Sequence, residues 1–247
     1  MKIIISPAKK MKVNSEVFDI KGLPVFMEET RYLIEEIRKL SYEEVKKLWN
    51  CNDKLAVLNY ERFRLMEPDT ALTPALLAYE GLQYQHLAPA VLEHTEWDYL
   101  QTHLCILSGL YGIVRPLDGV IPYRLEMQAK LITKKGRNLY DFWEHKLFEE
   151  LADHTDTIIN LASKEYSRCI EAYLTEDITF ITCVFGEYKN GTVIEKGTIA
   201  KMARGEMVRF MATEQINTPE QLKEFTGLNF RYRQDLSHAA RFVFINN

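Results

Sequence analysis

Positive charge is in short supply. The 247 residues carry 31 Lys and Arg against 35 Asp and Glu, a formal net charge of −4. No global field therefore draws the chain to a polyanion, and any anion site has to be a local concentration of cations. Long apolar runs are lacking as well. None approaches the roughly 18 to 20 residues of a membrane helix, and the apolar stretch at Ile3–Ile5 is far shorter than a secretion signal. The expectation is a cytoplasmic protein without membrane contact. The cysteines, Cys51, Cys105, Cys169 and Cys183, are widely spaced in apolar segments with no C-x-x-C pair, and read as buried free thiols. The histidines form no H-x-x-x-H or E-x-x-H arrangement, and Glu150 with His154 reads as the single same-face helical carboxylate and imidazole pair. No metal is expected. Neither a P-loop nor a G-x-G-x-x-G occurs, which removes the usual nucleotide fingerprints, and no cofactor is expected.

What is present fits one domain over residues 1–247, with 47% apolar residues to bury as a core. Lys2–Ile5 reads as a buried strand ending at Ser6-Pro7, followed by a loop with Lys9, Lys10 and Lys12. Phe26 to Leu40 has helical periodicity, and Ser41-Tyr42-Glu43-Glu44 is a capping box opening a helix through Trp49. A polar step, Asn50 to Asp53, precedes another helix through Phe63. Thr95 caps a helical turn at 97–101, Leu104–Leu107 is a strand, and 108–127 is an ordered loop too apolar for disorder, which points to function. A helix over 140–152, a strand over 157–161 and a helix capped by Ser163 follow. Lys189-Asn190-Gly191 joins strands 178–188 and 192–200 as a hairpin, because Asn and Gly both accept positive φ. Helices over 207–216 and from Thr218-Pro219, then strands at 230–232 and 242–245, complete an α/β chain of mixed type: a central mixed sheet enclosed by helices.

The basic residues do not cluster in sequence, but many sit at element ends. Arg115 and Arg124 flank the glycine- and proline-rich loop. Arg204 reads as following a strand and preceding Gly205 at a helix start, where free backbone N–H groups would add anion affinity. We expect Lys9, Arg115, Arg124 and Arg204 to converge. Ser6-Pro7-Ala8-Lys9 matches the S-x-x-K pattern of acyl-enzyme hydrolases, yet S-D-N is absent and only the reordered Lys196-Gly197-Thr198 stands for K-T-G.

The run Leu107-Ser108-Gly109-Leu110-Tyr111-Gly112, continuing through Arg115-Pro116-Leu117-Asp118 to Pro122-Tyr123-Arg124-Leu125-Glu126-Met127, closely resembles the signature of the bacterial YaaA family of peroxide-stress proteins. Ile5-Ser6-Pro7-Ala8-Lys9, Asp53-Lys54-Leu55-Ala56, Leu139-Tyr140-Asp141-Phe142-Trp143, Asn160 to Tyr166 and Ala203-Arg204-Gly205 extend the likeness over nearly the whole chain. The resemblance implies a protein that binds double-stranded DNA and limits free intracellular iron, and with it iron-driven oxidative damage to DNA. It also implies a helix-hairpin-helix element, expected at 42–63 with Asn52-Asp53-Lys54 as the hairpin and Lys54 as phosphate contact. This chain has Asn52 where the family commonly has Ser, and Arg231, Arg233 and Arg241 make its last segment basic where relatives can be acidic. The DNA reading takes Lys9, Lys54, Arg62, Arg115, Arg124, Arg204 and Arg209 as a groove following phosphates without base readout. The alternative is an enzyme acting on a phosphate-bearing or nucleotide-like molecule, a small anionic ligand held around Ser6, Lys9 and Arg124 with Tyr123 and Glu126 in the same pocket.

Overall fold

The computed structural model describes residues 1–13 and 19–246. Its centre is an eight-stranded sheet. The strands, in chain order, are β1 (Lys2–Ile5), β2 (Leu104–Ser108), β3 (Gly112–Val114), β4 (Thr157–Leu161), β5 (Thr179–Lys189), β6 (Thr192–Ile194), β7 (Phe230–Tyr232) and β8 (Arg241–Asn246). They lie in the order β7-β8-β5-β4-β1-β2-β3, with β6 paired to β5. The five strands from β8 to β2 are mutually parallel, while β3, β6 and β7 add antiparallel pairings. A parallel sheet is covered on both faces, which is why β1 is a continuous run of Ile3, Ile4 and Ile5, all fully buried.

Nine α-helices of more than one turn flank it among the described residues: α1 (Met27–Arg38), α2 (Tyr42–Trp49), α3 (Asp53–Leu65), α4 (Leu82–Leu87), α5 (His94–His103), α6 (Leu139–Trp143), α7 (Lys146–Ala152), α8 (Lys164–Glu171) and α9 (Gly197–Thr213). The expected capping box is present at α2: Ser41 Oγ accepts from the Glu44 N–H, and the Glu44 carboxylate accepts from the Ser41 N–H. Asn50 ends α2 in the left-handed conformation at φ 43°. Asn52 then caps α3 by accepting from the Leu55 N–H at 3.0 Å. A connected helix pair thus occupies the expected span, but its connection is Asn50-Cys51-Asn52. Because Asn52 is the cap, Asp53 and Lys54 belong to the first turn of α3 and not to the hairpin.

Four further expectations change. The helix foreseen over 140–152 is two, broken at Glu144, whose φ is 45°. The helix at Trp97 begins earlier, at His94, with Glu93 and Glu96 forming its capping box in place of Thr95. The strand foreseen through Ala200 stops at Ile194, and α9 runs unbroken through Arg204 and Gly205. The stretch 108–127 is not all loop: it contains β3, and Leu110, Tyr111, Ile113, Val114, Leu117, Val120, Ile121, Tyr123, Leu125 and Met127 are all buried. It turns into β3 at Gly112, φ 72°, and Ser108 Oγ accepts from the Leu110 and Tyr111 N–H groups beneath that turn. Much of the signature is therefore core. Cys105, Cys169 and Cys183 are buried free thiols and Cys51 is half-buried.

Candidate functional site

The chain leaves β1 toward β2 on one side and later enters β4 on the other, so the carboxyl ends of β1 and β4 mark a topological switch point, where parallel sheets open a crevice. Ser6 follows β1 and Ser163 opens α8 just after β4. Ser6 Oγ accepts from the Ser163 N–H at 2.8 Å and donates to Ser163 Oγ at 3.1 Å, while Tyr84 OH donates to the Ser6 carbonyl at 2.9 Å. These contacts form one edge of an inner cleft of about 370 Å³. Its walls include Lys9, Tyr84, Tyr123, Arg124, Glu126, Glu165, Tyr166, Lys201 and Arg204.

Glu126 pairs with two of the cleft's cations. Its carboxylate meets Lys9 Nζ at 2.7 Å and Arg124 Nη2 at 2.9 Å. The neighbouring Glu165 is different: burial raises its pKa, and the charge of Glu126 adds to the effect, against hydrogen bonds such as the one from the Gln128 N–H at 3.3 Å. Two carboxylates in one cleft thus have opposed surroundings, one paired with cations and one driven toward its neutral form. Tyr123 OH lies 2.6 Å from Ser108 Oγ and 2.9 Å from Tyr79 OH, and burial pushes its phenol to about 12. Lys9 is engaged by Glu126 and Ser6 by Ser163, which is not the serine and lysine pairing of an acyl-enzyme hydrolase.

Arg204 reaches the cleft from α9 because that helix packs close against α4. A Cβ on Gly205 would lie 2.1 Å from the Gln83 carbonyl oxygen, so only glycine fits. The anion-attracting helix start expected at Arg204 is absent, since this residue is mid-helix; its guanidinium is instead buried, which lowers its pKa.

Beyond Lys9 and Glu126, which the two hollows share, an outer groove of about 760 Å³ runs to Asn50 and is lined by Lys47 and Lys130 as well. The structure therefore brings Ser6, Lys9, Tyr123, Arg124, Glu126 and Arg204 together, but Arg115 does not join them: it faces Glu150 at 3.7 Å. Lys54 is exposed on α3, outside both hollows. Arg62 lines a separate apolar hollow with Leu58, Leu65 and Ile121, and Arg209 is exposed on α9 near Glu96. Sequence reasoning missed Lys47 and Lys130, which read as solvated charges, and Glu165, whose signal was its place beside Ser163 in the Asn160 to Tyr166 motif.

Glu150 and His154 do not pair through the carboxylate: the His154 ring lies 2.8 Å from the Glu150 backbone carbonyl, the Glu150 carboxylate faces Arg115, and the carboxylate–imidazole contact of this segment is His145 Nε2 with Glu149 at 3.5 Å. Among the described residues no group of three or more His, Cys, Asp or Glu side chains could hold a metal, and no helix is long and apolar enough to cross a membrane.

The family model described as "Peroxide stress protein YaaA" matches residues 1–236. This chain belongs to that family. It is 55% identical over 245 residues to a "UPF0246 protein" of Lachnoclostridium phytofermentans, covering 99% of this chain and 96% of the relative. It is 54% identical over 245 residues to one of Desulfitobacterium hafniense, covering 99% and 98%. One of Pediococcus pentosaceus is 49% identical over 247 residues, covering 100% and 98%. Membership of the YaaA family gives the protein a general role in peroxide stress.

Proposed function

We propose that this protein serves peroxide resistance by holding double-stranded DNA through its phosphates, with little sequence preference, and thereby limits free intracellular iron and iron-driven damage to DNA. One observation carries the reading. Lys9, Lys47 and Lys130, from three separate segments, line a single groove that ends at Asn50, where α2 turns into α3. In a chain of net charge −4, the three lysines outnumber the two carboxylates of the same groove, Glu44 and Glu126, which leaves a local excess of positive charge for a polyanion. Lys54, exposed in the first turn of α3 just after that connection, lies outside the groove. Arg62, Arg115 and Arg209 are left out of the contact.

Lysines that meet phosphates hold DNA without reading bases, so duplexes of unrelated sequence should bind alike. The test is equilibrium binding of two unrelated duplexes to the full chain and to Lys130→Glu. The reading expects equal affinities for the two and a matching loss for both in the variant; affinity for one duplex alone would count against it. In cells, chelatable iron after a peroxide challenge should be higher when the protein is missing.

A further inference from the structure

The inner cleft holds two buried guanidiniums whose hydrogen-bonding capacity the chain does not fill. The Arg204 side chain is only 14% exposed, yet the carboxylate paired with it, Glu195, stands 3.6 Å away, and its Nε has no hydrogen-bond partner. Arg124 is 10% exposed; its Nη2 reaches Glu126 and the Trp49 carbonyl, and its Nε is likewise unpartnered. Burying a guanidinium with idle donors is costly unless an anion completes it. Glu165 does not complete them: its carboxylate accepts from the Gln128 N–H and pairs with neither guanidinium. Lys201 precedes Arg204 by three residues on α9 and lines the same cleft, so the cation count there is higher still.

The remaining walls are of another kind. Tyr84, Tyr123, Tyr166 and Leu82 give the cleft an apolar, aromatic part. A hollow of about 370 Å³ lies at the small end of ligand pockets and admits one small molecule while excluding a duplex. A ligand that satisfies both parts has a compact anionic end and a planar apolar end.

We propose that the inner cleft is a binding site for a nucleoside 5′-monophosphate, its phosphate held by Arg204 and Lys201 and its base against the tyrosine-lined part. Side chains take the phosphate here in place of a glycine-rich loop, which accounts for the missing nucleotide fingerprints. The site goes beyond duplex binding and does not depend on it, because cleft and groove share only Lys9 and Glu126.

Isothermal titration of the full chain with AMP, adenosine, inorganic phosphate and a 5′-phosphorylated oligonucleotide tests it. The proposal expects one AMP per chain, weaker binding of inorganic phosphate and none of adenosine. The 5′-phosphorylated strand separates the two sources of the same group: tighter binding than AMP identifies a strand end as the natural ligand, and weaker binding a free nucleotide. Arg204→Gln should weaken AMP by roughly tenfold to a hundredfold, as for a lost charge-assisted contact. Lys201→Gln, at an exposed position, should weaken it less without threatening the fold. Adenosine binding as well as AMP, absence of AMP binding at millimolar concentration, or AMP binding indifferent to Lys201→Gln and to a folded Arg204→Gln would each overturn the proposal. Duplex affinity unchanged in Arg204→Gln would show that the two hollows are separate sites.

Discussion

Ser6 and Ser163, 157 residues apart, are joined by two hydrogen bonds that tie the end of β1 to the start of α8. Ser163 makes no side-chain cap of its own helix, so its hydroxyl serves this link. The two bonds are unequal in consequence. Ser6→Ala strips the part-buried Ser163 N–H of its acceptor and should lower stability by about 1–2 kcal/mol, whereas Ser163→Ala removes only an acceptor hydroxyl and should cost less. Chemical denaturation of both variants checks the order, and an equal or reversed cost would show that the N–H is satisfied in another way.

Gly205 and Gln83 set the distance between α9 and α4. Gly205→Ala places a methyl 2.1 Å from a backbone oxygen, so the helix has to move. Overpacking of this kind costs about 1–3 kcal/mol, and for a chain of this size each kcal/mol lowers Tm by roughly 2–4 °C. A thermal melt unchanged in the alanine variant would contradict the close packing that carries Arg204 into the cleft.

Asp118 closes the turn after β3, its carboxylate accepting from the Arg115 N–H at 2.7 Å, and burial raises its pKa from 3.8 to about 6. The sign follows from the proton count. Above about pH 6 the group is ionised in both folded and unfolded chains, and its burial costs stability. As pH falls, the folded chain binds the proton first, so this group's contribution to stability improves from about pH 7 down to about 4, where the unfolded chain also protonates. Asp118→Asn should remove that component, and denaturation midpoints for both proteins between pH 4 and 7 measure it. Identical pH profiles would mean that Asp118 titrates as an ordinary carboxyl.

Local signals made much of this architecture legible in the sequence. The isoleucine run of β1, the capping box at Ser41 and Glu44, and the Asn190-Gly191 turn each rest on a few adjacent residues, and each stands where expected. The misplacements come from tertiary packing. Gly205 reads as a helix boundary by itself, but its reason is the Gln83 carbonyl 122 positions earlier in the chain. The break at Glu144 and the burial of 108–127 depend on neighbours no window contains. At the cleft, Lys9, Arg124 and Arg204 could be picked out because they stand in the motifs that carry the family resemblance, while Lys47 and Lys130 could not, since a lysine on a helix face or in a polar step is ordinarily solvated.

The most direct test of the DNA reading is the slope of log affinity against log salt for a short duplex of arbitrary sequence. Each phosphate neutralised contributes about −0.9, so Lys9, Lys47 and Lys130 acting together give a slope of about −3. Reversing Lys47 and Lys130 to Glu should weaken binding to every duplex and flatten the slope to about −1, with the fold intact because both side chains are exposed. A folded double variant that keeps both the affinity and the slope of the unaltered protein would contradict the account.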